Sequence, residues 1–161
     1  MSSIIIYGEE TNINKKRVIT PETQPNPSNF YGDSKLKAEK KLTPLKSDTF
    51  RIAIIRPPMI YGEGSKGNYQ QLVKIAQKLP VFPNIENERS MLSIDHLCDF
   101  IKNRIEFPES GIFFPQDPQY VRTSFMVKEI AASNGKKVKL FSGLNWLISV
   151  SYTHLRAHET E

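Results

Sequence analysis

Tyr31 and Lys35 stand four residues apart in a stretch rich in Ala, Glu and Lys. On a helix that spacing puts both side chains on one face, with the ammonium near the phenol. A free tyrosine titrates near ~10, and an adjacent cation favours the anionic form, which turns a phenol into a usable base near neutral pH. Two features frame the pair: Ser3, opening Ser3-Ile-Ile-Ile-Tyr-Gly8, and Arg56-Pro57-Pro58 downstream. Ser3 is placed at the carboxyl end of a parallel strand, where open α/β sheets bind ligands. Tyr-x-x-x-Lys alone is a weak motif that many exposed helices carry; the three features in this order are far more specific.

The elements that must position these residues follow from periodicity. Ser2 to Gly8 is β-branched and reads as a buried parallel strand ending in a turn. Glu9 to Asn29 is polar, holds three prolines and has no period; loops of that length usually border a site. Tyr31 to Leu45 reads as a helix ended by Pro44, and Phe50 to Arg56 as a second buried strand stopped by Pro57-Pro58. Asn68 to Leu79 carries Leu72, Val73, Ala76 and Leu79 on one helical face. Ser90 to Ile94 and Gly111 to Phe114 read as strands, Asp95 to Ile105 as a helix, and Thr123 to Ala132 as a helix with Thr123 or Ser124 as N-cap and Gly135 past its end. This alternation predicts an α/β layer fold with a mainly parallel sheet.

Composition narrows the function classes. The 161 residues are 39% hydrophobic and 24% charged, as in a globular chain of one ordinary domain. No apolar run approaches the ~20 residues of a bilayer span, and no signal peptide is evident, so a soluble cytoplasmic protein without a membrane partner is expected. The net charge of +5 is scattered, and the Lys35 to Lys46 run reads as a solvated helix face rather than a nucleic-acid footprint; a phosphorylated small molecule would also favour a basic pocket. The single cysteine, Cys98, falls in the apolar pattern Leu97, Phe100, Ile101, Ile105 and reads as a buried, inert thiol. Thiol redox and zinc chemistry are therefore not expected, and no metal site is assigned.

Both ends look non-native. Val150 to Thr160 resembles one reading frame of a transposon-derived sequencing adapter, which sets 150–161 apart as a tail and removes His154 and His158 from any metal site. A strand opening the chain at Ser2 needs sheet neighbours on both sides, so the chain is expected to start inside a domain.

Ser-x-x-x-Tyr-Gly, Tyr-x-x-x-Lys and Arg56-Pro-Pro-Met-Ile-Tyr-Gly62, followed by Lys66-Gly-Asn-Tyr and Glu88-Arg-Ser-Met-Leu-Ser-Ile-Asp95, resemble the extended short-chain dehydrogenase/reductase family. The likeness runs from Ser2 to about Leu140 and is strongest to its NAD-dependent sugar-nucleotide epimerase/dehydratase group. It implies that residues 1–149 are the carboxyl-side part of a Rossmann-like doubly wound parallel sheet plus part of a small substrate-binding subdomain. It implies roles too: Ser3 hydrogen-bonding the reacting sugar hydroxyl, Tyr31 transferring the proton, and Lys35 binding the nicotinamide ribose, with Tyr31, Lys35 and Pro58 on the cofactor side. Arg89 would contact the substrate diphosphate and Asn68 would line the same pocket. An arginine fork suits phosphate oxygens, although a surface salt bridge from Arg89 to Glu86 or Glu88 is the alternative.

Departures sharpen the chemistry. The family's Gly-x-x-Gly-x-x-Gly fingerprint is absent, so the chain by itself is expected to be inactive. Gly62-Glu-Gly64-Ser-Lys-Gly67 fits Gly-x-Gly-x-x-Gly but is set aside, because Pro57-Pro58 are expected to end the strand well before Gly62. Met59 stands where some epimerases carry asparagine. Dehydratases of the group use acids in the two positions after the motif serine, and here these are Ile4 and Ile5. What remains needs only Ser, Tyr, Lys and NAD, with NADP left open: a UDP-sugar 4-epimerase, or else a nucleotide-sugar 4-reductase. A non-catalytic nucleotide-binding module or an inactive fragment is the contrasting class. A homodimer is left open for the full-length parent.

Overall fold

The computed structural model describes residues 1–8, 17–65 and 67–142. The adapter-like tail lies outside the described residues, as do 9–16 of the polar loop. In chain order the elements are α1 (Phe30–Leu42), β1 (Ala53–Ile55), β2 (Met59–Tyr61), α2 (Asn68–Lys78), β3 (Val81–Pro83), β4 (Met91–Ser93), α3 (Ile94–Glu106), β5 (Gly111–Phe113), α4 (Thr123–Ser133) and β6 (Lys139–Phe141), with single 3-10 turns at Ile4–Tyr7 and Thr43–Leu45. They form two compact units, Met1–Lys66 with Ser90–Tyr120, and Gly67–Arg89 with Val121–Glu161.

In the first unit β1 pairs in parallel with β5 (Ile54 opposite Ile112) and β2 in parallel with β4 (Ile60 opposite Leu92). Ile54, Ile55, Met91, Leu92 and Leu97 are buried with Ile6 and Tyr7. The β1 strand is shorter than the predicted Phe50 to Arg56: the ladder to β5 takes in Ala53 to Ile55, while Phe50 and Arg51 are exposed and lie outside it. Prolines lack the N–H a ladder needs, so β1 stops before Pro57-Pro58. Pairing resumes at Met59, and β2 runs directly into Gly62. The ground for setting the Gly62–Gly67 loop aside therefore does not hold. Gly62 has a packing reason for its lack of a side chain: its φ is +122°, and a Cβ there would lie 2.8 Å from Ile94 Cγ2.

Three further expectations are corrected. Ser2 to Tyr7 is not a strand. Ser2 N–H and Ile4 N–H donate to the carbonyls of Ile55 (2.8 Å) and Pro57 (3.1 Å) before the chain closes into the 3-10 turn Ile4–Tyr7. The Ser3 side chain accepts from Ile5 N–H, and Gly8 ends the turn at φ +72°. β-branched residues favour a strand, but a local cap at each end outweighs that preference over four residues. The predicted helix to Leu45 ends instead at Leu42 and tightens into Thr43–Leu45 around Pro44. Cys98 is exposed, not buried, since the face of α3 turned to the core is the one carrying Leu97.

In the second unit β3 pairs in parallel with β6, and α2 packs on α4. Ala76, Phe82, Val127, Ile130, Ala131 and Val138 form its buried core, with Leu72 and Val73 against it. The N-cap of α4 is Arg122, one residue earlier than expected. Asn87 supplies the missing acceptor from outside the helix: its Oδ1 takes the Thr123 N–H at 3.0 Å, and its Nδ2 donates to Thr123 Oγ1 at 2.9 Å. Gly135 lies past the helix end at φ +70°, as expected.

Candidate active site

α1 begins where Asn29, in extended backbone, accepts the Gly32 N–H on its side chain at 2.8 Å. Gly32 is buried because the Ser3-bearing turn lies against it: a Cβ would stand 3.1 Å from the Ile5 carbonyl oxygen and 3.1 Å from Pro27 Cβ. Tyr31, one residue earlier, is half exposed and available to a ligand. Lys35 Nζ lies 5.4 Å from the centre of the Tyr31 ring. It also approaches the Met1 carbonyl oxygen at 3.5 Å, next to the segment that carries Ser3. Ser3 is itself partly buried, with its Oγ accepting from Ile5 N–H at 3.3 Å.

Ser3, Tyr31, Lys35 and the buried Pro58 thus lie in one unit. Ser3 lies beside the carboxyl end of β1, since its neighbours Ser2 and Ile4 donate to the carbonyls of Ile55 and Pro57. Asn68 and Arg89 lie in the other unit. Asn68 is exposed and opens α2; Arg89 is exposed, and its backbone exchanges two hydrogen bonds with Val121, at 3.0 and 2.9 Å.

Two polar clusters were not anticipated. Arg56, 6% exposed, donates from Nε to Glu39 Oε1 (3.1 Å), from Nη2 to Glu39 Oε2 (2.5 Å) and from Nη1 to the Tyr7 hydroxyl (2.5 Å). Its guanidinium also lies 5.3 Å from the Tyr7 ring centre and 5.7 Å from that of Phe114. Burial disfavours the charge, but Glu39 and Tyr7 more than offset it, so the Arg56 pKa is raised and the group stays ionised. A signal existed in the sequence: Glu39 continues the i, i+4 series of Tyr31 and Lys35.

The second cluster joins the carboxyl ends of β2 and β4 to the start of α3. Asp117 accepts from the Tyr61 hydroxyl (2.8 Å) and from Ser93 N–H (3.2 Å), and its other oxygen lies 2.7 Å from His96 Nδ1. The hydrogen bond and charge of Asp117 raise the His96 pKa. Burial alone would raise that of Asp117, yet His96, Tyr61 and Ser93 together lower it. Among the described residues no group of His, Cys, Asp or Glu is arranged to hold a metal ion, and no helix is long and apolar enough to cross a membrane.

Residues 3–101 match the family described as male sterility protein, an NAD-binding domain. The chain is 35% identical over 142 residues to a UDP-glucose 4-epimerase of Vibrio cholerae, covering 84% of this chain and 43% of that protein. It is 31% identical over 145 residues to an N-acetyl-alpha-D-glucosaminyl-diphospho-ditrans,octacis-undecaprenol 4-epimerase of Escherichia coli O157:H7, covering 85% of this chain and 42% of that protein. The chain therefore spans less than half the length of these curated relatives. In fold it is similar to UDP-glucuronic acid 4-epimerase from Bacillus cereus, solved in complex with NAD, with a TM-score of 0.68 at 17% identity over 88% of this chain and 48% of that one. Parallel strand pairs linked by helices, this structural likeness and the family match have one meaning: the chain is a Rossmann-like α/β protein that belongs to the NAD-binding male sterility protein family of the short-chain dehydrogenase/reductase type.

Proposed function

We propose that the chain is the carboxyl-side part of an NAD-dependent nucleotide-sugar 4-epimerase acting on a UDP-sugar. The observation that carries this reading is the Tyr31–Lys35 pair, accessible on α1 and packed beside the Ser3 turn. The Tyr31 hydroxyl and the Lys35 ammonium form a donor set that fits the ribose edge of a nicotinamide cofactor. Hydride acceptance and return are the chemistry that NAD supplies when bound. Tyr31 takes the proton of the sugar hydroxyl as the carbon is oxidised, and gives it back after the ketone has turned its other face. Lys35 holds the ribose and keeps a positive charge near the phenol; Ser3 hydrogen-bonds the reacting hydroxyl. Ile4 and Ile5, directly after Ser3, carry no transferable proton, which favours epimerisation over loss of water. Arg89, with its planar fork, takes the diphosphate, and Asn68 the pocket beside it.

The test completes this chain with the upstream half of the Vibrio cholerae relative and supplies UDP-galactose. An epimerase converts it to UDP-glucose with no net change in NADH absorbance, because the hydride returns to the same sugar. Stoichiometric consumption of NADPH with a 4-keto sugar nucleotide would identify a reductase instead.

A further inference from the structure

We propose that Arg56 is a positioning residue: by gripping Glu39 and Tyr7 it holds α1 in one rotation and register against the Ser3-bearing turn. The inference rests on the reading of Ser3, Tyr31 and Lys35 above, and it concerns how those residues come to face each other. Glu39 lies two helical turns beyond Gly32, about 10 Å along the axis. A rotation of α1 at Glu39 is carried along the helix to Tyr31 and Lys35, which share its i, i+4, i+8 row. Tyr7 closes the turn that Ser3 opens. The three donors of Arg56 therefore connect the far end of the catalytic helix, the far end of the serine turn and the chain just beyond β1 at one buried point.

The geometry is that of an orienting device. Three apolar side chains meeting there would tolerate sliding, since dispersion contacts have little directional preference. A guanidinium fork on a carboxylate does not, because two parallel N–H···O bonds fix the planes of both groups. Tyr7 and Phe114 against the guanidinium leave it little room to reorient. At the other end of α1 the fit is close enough to feel a shift: a Cβ at Gly32 would stand 3.1 Å from the Ile5 carbonyl oxygen, tighter than an ordinary contact, and Lys35 reaches Met1.

The experiment uses the 161-residue chain and reads geometry rather than turnover, so it stands apart from the epimerase assignment, which is decided by turnover of a Tyr31→Phe enzyme. Nuclear Overhauser contacts from Gly32 Hα to Ile5 and from Lys35 Hε to Met1 and Ser2 are recorded in the parent chain, in Arg56→Lys, and in the double variant Glu39→Met/Arg56→Met. The double variant replaces the ion pair by apolar groups of similar length, which commonly preserves stability. It is expected to melt within about 4 °C of the parent while losing these contacts. Arg56→Lys, which keeps the charge but not the fork, is expected to lose them as well. Parent-like contacts in the folded double variant would show a merely structural pair and overturn the proposal. If the double variant does not fold, parent-like contacts in Arg56→Lys overturn it, and their loss in folded Arg56→Lys supports it.

Discussion

Lys35 holds its ammonium 5.4 Å from the centre of the Tyr31 ring, one helical turn away on the same face of α1. The pair is accessible, and the turn that carries Ser3 packs against the glycine between them. Proton transfer to and from a bound hydroxyl needs such a group within reach.

In an enzyme completed with an upstream half, Tyr31→Phe keeps the ring and its packing while removing the proton carrier. Turnover should fall by ~10²-fold or more with substrate binding close to normal, as measured by steady-state kinetics and a binding titration. Lys35→Met should impair both turnover and NAD affinity. Ser3→Ala should cost less, since water can replace part of the hydroxyl relay. A Tyr31→Phe enzyme that interconverts UDP-glucose and UDP-galactose at near the parent rate would refute the assignment.

Arg89→Ala in the same enzyme should weaken the nucleotide sugar by about 1.5–3 kcal/mol, the worth of a charge-assisted contact, and leave NAD nearly unchanged. Isothermal titration with each ligand separates the two. Equal weakening of both would point to a folding defect.

The 161-residue chain by itself should show no measurable affinity for NAD, because it holds no Gly-x-x-Gly-x-x-Gly turn to seat the pyrophosphate at a helix N-terminus. Calorimetry yielding a micromolar constant would reverse this and direct attention to Gly62–Gly67, which does follow a strand and precede a helix.

Glu39→Ala leaves the Arg56 charge buried without its carboxylate. Chemical denaturation should register a loss of about 3–5 kcal/mol, far more than exposed pairs such as Lys37–Asp33 contribute. A loss below ~1 kcal/mol would mean that water reaches the guanidinium and relieves the burial.

The His96–Asp117 contact should make stability pH-dependent. The His96 pKa is raised above 6.5, so its contribution is complete below that value and is lost as pH rises through the folded-state pKa. That of Asp117 is lowered below 3.8, so its contribution is present above that value and is lost as pH falls through the folded-state pKa. The contact therefore contributes most between these two limits. Asp117→Asn should bring the titration of the His96 ring proton, followed by NMR, back toward 6.5; an unchanged midpoint would place the cause with Asp95 and Asp99, the other carboxylates that raise it.

Four helices were legible in the sequence because each carries its own signal, whether a 3.6-residue apolar row, as in α2, or a stop residue such as Pro44 or Gly135. The buried Ile54-Ile55 strand was legible from its β-branched run, and the proposed Ser3, Tyr31 and Lys35 site from motif order. Other features depended on partners distant in the chain. β3 and β6 are three residues each, too short for a period, and exist because Val81 to Pro83 finds Lys139 to Phe141. The Ile-rich opening folds as a 3-10 turn because Ser3 and Gly8 cap it locally, against its own propensity. Cys98 is exposed because α3 turns Leu97, not its neighbour, toward the core. Asn87 caps a helix 36 residues on, and Glu39 meets Arg56 across 17. Local propensity and spacing act within a few residues, whereas buried hydrogen bonds and ion pairs are satisfied by whatever packing brings near, and only the tertiary structure decides that.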